Sequence, residues 1–101
     1  MVEVITDTKN ISISIIQHAN CSINNLTYPT EVESGESFDI SYDCTNNGAT
    51  DTCFGKLYDT DTTYDNWEET IPSGGTVNKV VTFNTGITET LEVVLEVGYI
   101  K

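Results

Sequence analysis

Apolar residues in this chain recur at every second position, and clusters of turn residues separate the runs. Phe38, Ile40, Tyr42 and Cys44 alternate with Ser37, Asp39, Ser41 and Asp43. Leu91, Val93, Leu95, Val97 and Tyr99 alternate in the same way. A period of two puts one set of side chains on one face of an extended strand, whereas a helix needs a stripe at three- and four-residue spacing. The composition agrees. Thr occurs 16 times and Asn 9 times, while Ala stands only at positions 19 and 49 and Gln only at 17. Good helix formers are scarce and β-branched residues abundant, so no helix is expected.

Strands are expected in sequence at Val2–Thr6, around Ile11, Ile13 and Ile15, from Cys21 to Tyr28, and from Phe38 to Cys44. Further runs follow at Cys53–Tyr58, Thr63–Ile71, Val77–Phe83 and Thr90–Tyr99. The spacing changes from odd to even between Ile23 and Leu26, which predicts a bulge near Asn24-Asn25. Gly35 suits a positive φ in the loop that follows Pro29. Asn46-Asn47-Gly48, Asp59-Thr60-Asp61-Thr62, Pro72-Ser73-Gly74-Gly75 and Asn84-Thr85-Gly86 read as turns. The sum is an all-β, antiparallel sandwich of about seven strands with an N-terminal arm strand. Residues 1–18 form the arm, or extend the first strand, and residues 19–101 form the sandwich.

Charge excludes several partners. The chain of 101 residues has 16 acidic against 4 basic residues, a net −12, with no Arg and its four Lys scattered. A surface that tracks phosphates needs clustered cations, so no nucleic-acid partner is expected. An anionic membrane face repels the chain for the same reason. No apolar run approaches the roughly 18 residues of a membrane-spanning helix. No charged start with an apolar core follows Met1, so no secretory signal is expected.

The stretch from Val32 to Gly48 (Val-Glu-Ser-Gly-Glu-Ser-Phe-Asp-Ile-Ser-Tyr-Asp-Cys-Thr-Asn-Asn-Gly) resembles the second strand of a CARDB-like immunoglobulin-type domain. Ile71-Pro72-Ser73-Gly74-Gly75-Thr76, followed by Val81-Thr82-Phe83, resembles a later turn and strand of that family, with Pro-Ser-Gly-Gly in place of Pro-Gly-Glu. The resemblance covers residues 20–97 and implies an immunoglobulin-like fold and a non-catalytic adhesion or structural role. Domains of that family usually carry one more strand after the one matching Thr90–Val97. Its absence here, with spare residues before Asn20, suggests that the arm covers the vacant edge in its own domain or in a neighbour.

Few residues suggest chemistry. Cys21, Cys44 and Cys53 are disulfide candidates. A hairpin centred between Val32 and Glu33 sets Cys21 opposite Cys44; the alternative, Cys44 with Cys53, clamps the Asn46–Gly48 loop. Three reduced thiols packed as small core residues are the remaining option. They lack the short paired spacing of a zinc site. Asp59-x-Asp61-x-x-x-Asp65 lacks the turn Gly and the distal acid of a calcium loop, where Thr70 stands instead. His18 has no nucleophile context, and Glu68 and Glu69, adjacent on a strand, face opposite sides. No catalytic residue, metal or cofactor is expected. Asn10, Asn20 and Asn25 fit the glycosylation triplet. The interface candidates are Tyr64 and Trp67, as an aromatic anchor, and Val2, Val4, Ile11, Ile13 and Ile15 of the arm.

The expected function is that of a virion structural protein at the virion surface, a capsid decoration or tail-surface subunit with capsid or other virion proteins as partners, or a homo-oligomer. The alternatives are an adhesion or surface-layer module of a larger secreted protein, extracellular or at the cell surface, and a carbohydrate-binding module using Tyr64 and Trp67.

Overall fold

The computed structural model describes residues 2–84, 87 and 89–101. Thr85 and Gly86 of the expected Asn84–Gly86 turn lie outside the described residues. Six strands follow one another: β1 (Cys21–Thr27), β2 (Phe38–Asn46), β3 (Asp51–Tyr58), β4 (Thr63–Ile71), β5 (Thr76–Phe83) and β6 (Val94–Tyr99). There is no helix among the described residues. All pairings are antiparallel, in two three-stranded sheets ordered β1-β2-β5 and β4-β3-β6.

The inner faces of the two sheets meet in two clusters. One holds Ala19, Tyr42, Cys44, Cys53 and Ile71. The other holds Ile40, Leu57, Val81 and Phe83, with Phe38, Leu91, Val93 and Leu95 packed partly exposed against it. The alternation of β2 explains this division, because Ile40, Tyr42 and Cys44 all point inward along one strand. Gly55, in the middle of β3, is a matter of space. A Cβ there would collide with the indole of Trp67 across the β3–β4 pair.

Three expectations need correction. Residues 2–20 contain no strand, so the chain has six strands among the described residues rather than about seven with an arm strand. Residues 2–17 are exposed throughout and meet no partner among the described residues that would supply ladder hydrogen bonds. The last strand begins at Val94, not Thr90, because Val94 pairs with Tyr58, the final residue of β3. The first hairpin also has another register. Cys21 lies opposite Asn46 and Ile23 opposite Cys44. The turn closes later than expected, at Glu33–Glu36, where the Glu36 amide donates to the Glu33 carbonyl (3.1 Å) and Gly35 adopts φ 81°. The bulge expected near Asn24-Asn25 is present, as a register shift between Asn24 and Thr27 with Asn25 at φ 53°.

Candidate functional site

The arm is the most exposed apolar part of the molecule. Val2, Val4, Ile5, Ile11, Ile13, Ile15 and Ile16 each keep at least 76% of their surface in water. The principal extents, 86 × 25 × 22 Å, and a radius of gyration of 22.5 Å describe a small body with a long extension. A compact chain of this length has a radius near 13 Å. Residues 10–17 (Asn-Ile-Ser-Ile-Ser-Ile-Ile-Gln) carry no charge, Gly or Pro. Nothing in them opposes strand formation once a partner edge is available.

The arm's root is fixed. Ala19 is buried in the first cluster. The His18 carbonyl accepts from the Ala49 amide (3.1 Å), and the Asn20 carbonyl accepts from the Asn47 amide (2.8 Å). Gly48 permits this approach, since a Cβ there would sit 2.6 Å from both Asn20 N and His18 O. The His18 ring stacks on Tyr99, with centroids 4.6 Å apart, and its Nδ1 lies 3.5 Å from Asp51 Oδ2.

Asn46 organises this end of the sandwich, a role sequence reasoning missed. It is fully buried at the end of β2. Its Oδ1 accepts from the amides of Asn20 (3.0 Å) and Gly48 (2.9 Å). Its Nδ2 donates to the carbonyls of Ala49 (2.8 Å) and Ile71 (2.9 Å). Its own amide donates to Gly75, and its carbonyl accepts from Gly74. The side chain thus fills its hydrogen-bonding capacity and joins the arm root, two turns and the end of β4.

The opposite end is open. A cleft of about 1290 Å³ lies between the far end of β1 and residues 89–95, with Ile23, Ile40, Leu57, Leu91, Val93 and Leu95 among its walls. Leu26 and Tyr28 stand half-exposed at its rim. Beside it runs β6, which pairs with β3 on one side and with no strand on the other among the described residues.

The three cysteines come together between the sheets. They are free thiols, with Cys44 and Cys53 buried and Cys21 partly exposed. Cys21 packs against the cluster that holds the other two. Burial pushes all three thiols up, Cys53 to about 12. At neutral pH they stay protonated, so they are neither nucleophiles nor ready metal ligands. The cross-strand Cys21–Cys44 pair expected from the hairpin does not form, because Ile23 occupies the place opposite Cys44.

Tyr64 and Trp67 turn toward the core. Trp67 Nε1 donates to the Tyr42 hydroxyl (2.7 Å), which bridges the two sheets, and Lys79 Nζ lies 4.4 Å over the Trp67 ring. Tyr64 packs against Phe83 and donates to Asp59 Oδ2 (2.6 Å). A register shift where β4 begins, between Leu57 and Tyr58 of the partner strand, lets both aromatics reach the interior from positions three apart. Asp59 Oδ1 also accepts the Asp61 and Thr62 amides (2.8 and 2.7 Å), so this carboxylate closes a turn. Glu68 and Glu69 are both exposed, and Glu69 pairs with Lys79 (3.0 Å). No group of three or more His, Cys, Asp or Glu side chains is placed to hold a metal among the described residues. Asn10, Asn20 and Asn25 are all exposed.

The chain matches no protein-family model, no curated protein and no solved structure.

Proposed function

We propose that this chain is a non-catalytic structural subunit of a virion, a capsid decoration or tail-surface protein, whose immunoglobulin-like domain joins other structural proteins. One observation carries this reading: an alternating apolar arm, without charge from Asn10 to Gln17, stands clear of a body that has its own core. Exposed apolar surface on this scale marks a site of association. The immunoglobulin-like assignment draws support from the strand order. The first, second and fifth strands share one sheet, and the third lies between the fourth and sixth in the other. A further strand of such a sandwich belongs on the free side of β6.

A second reading, an adhesion or surface-layer module of a larger secreted protein, is favoured by the thiol cluster. In an oxidising compartment, cysteines gathered in one cluster are the ones that oxidise to a disulfide. The test is co-sedimentation of the purified chain with particles from its source. Binding to the particles is expected, with loss on the double change Ile13→Asp and Ile15→Asp. Absence of the chain from every particle, together with a place inside a long secreted reading frame, would overturn the virion reading in favour of the second.

A further inference from the structure

The sandwich has four sheet edges, and they are not equally open. The β1 edge is broken by the bulge at Asn24–Thr27, with Asn25 at positive φ. The β4 edge carries Asp65, Glu68 and Glu69 and a register shift near its start. The β5 edge carries Lys79. Bulges and charges of this kind are how sheets discourage further pairing. The β6 strand, Val-Leu-Glu-Val-Gly-Tyr, has an unbroken register with β3, no Pro and no Lys. Its one charged residue, Glu96, accepts a hydrogen bond from the Tyr58 hydroxyl at 2.5 Å, on the β3 side. Thus β6 is the edge least protected against an added strand.

The same side of the molecule holds the open cleft, and Leu95 of β6 is part of its wall. A strand laid along β6 would send alternate side chains into that cleft, toward Ile23 of the facing sheet. The arm has the matching pattern, with Ile11, Ile13 and Ile15 on one face and Ser12 and Ser14 on the other. Residues 10–16 also add no charge beside a rim that carries Glu31, Glu33, Glu89 and Glu92. In this structure the arm of the chain itself stands in water, away from that edge. Sixteen arm residues span up to about 50 Å when extended, enough to reach another molecule.

On the footing that the chain assembles, we infer that the acceptor is a second copy of it: residues 10–16 of one copy add as a strand to the free edge of β6 in the next, with alternate isoleucines filling the cleft. The donor supplies backbone hydrogen bonds to the exposed edge, and the cleft selects its side chains.

The experiment follows mass by light scattering over a rising concentration series, with amide exchange of β6 read in the same samples. The full chain should gain mass with concentration, and its β6 amides should slow as it does. The exposed pair Ile13→Asp and Ile15→Asp should remain monomeric, with β6 amides in fast exchange. A synthetic peptide of residues 8–17 should restore slow exchange to that variant. Val94→Lys, on the acceptor edge, should abolish association while circular dichroism shows the sheets intact. A full chain that stays monomeric with fast β6 exchange overturns the inference. So does slow exchange independent of concentration, which would mean that the arm folds onto its own edge. Neither result touches the assembly reading, which is decided separately by whether the full chain co-sediments with particles.

Discussion

The two ends of the sandwich are closed by different physics. At the Asn46 end, a buried amide joins the arm root, two turns and the last residue of β4 through hydrogen bonds of 2.8 to 3.0 Å. At the other end, partly exposed Phe38, Leu91 and Val93 pack against buried Leu57 and Ile40, and a cleft remains. The polar end is the specified one. Its groups are satisfied in one arrangement only, and each lost partner leaves a buried donor or acceptor unmatched. The apolar end tolerates rearrangement, because contacts among partly exposed aliphatic groups are not directional.

The sharpest break in this contrast is Asn46→Leu. It strands two amides and two carbonyls, and urea unfolding should show a loss of about 3 kcal/mol or more. A loss below about 1 kcal/mol would mean that solvent or a neighbour replaces the clamp. Next comes a pair within the apolar end. Leu57→Ala, at a buried position, should cost about 2–5 kcal/mol. Leu91→Ala, at the cleft wall, should cost clearly less, and equal losses would show the cleft to be closed in solution. Trp67→Phe should cost about 1 kcal/mol by removing the donor to the Tyr42 hydroxyl.

The smallest effect is electrostatic. The Tyr64 hydroxyl, then the Asp61 and Thr62 amides, hold the Asp59 carboxyl below its ordinary range. A carboxylate lowered in the folded state adds stability that is present above its unfolded value and lost as pH falls through the folded one. Asp59 should therefore titrate below the ordinary carboxylate range by NMR. Tyr64→Phe should move it back up, with little change in stability because solvent screens a carboxylate at a turn.

Much of this architecture is visible in the residues. The alternation of Phe38–Cys44 and the turn residues around positions 46–48 and 72–75 lead directly to β2 and its neighbours. The change of parity around Asn24 leads to the bulge. Pairing register is harder, because a two-residue slip keeps every side chain on its face, so the alternation cannot distinguish Cys44 from Asn46 as the partner of Cys21. Asn46 itself was hidden by its context. Asn-Asn-Gly signals a turn, and the same short amide that suits a turn also suits a buried clamp. The arm marks the other limit: alternating isoleucines state a capacity to pair, and only the structure shows that they stand unpaired within one copy among the described residues.

The anchoring of Ala19 decides where the molecule bears load. Tension along the arm, whatever the arm grips, enters the body at His18–Asn20 and passes at once to the Ala49 and Asn47 amides and the Asn46 side chain. These bonds sit at the hydrogen-bonded end of the sandwich, so a pull meets a network of directional bonds first. The end with the cleft lies across the sandwich from this root.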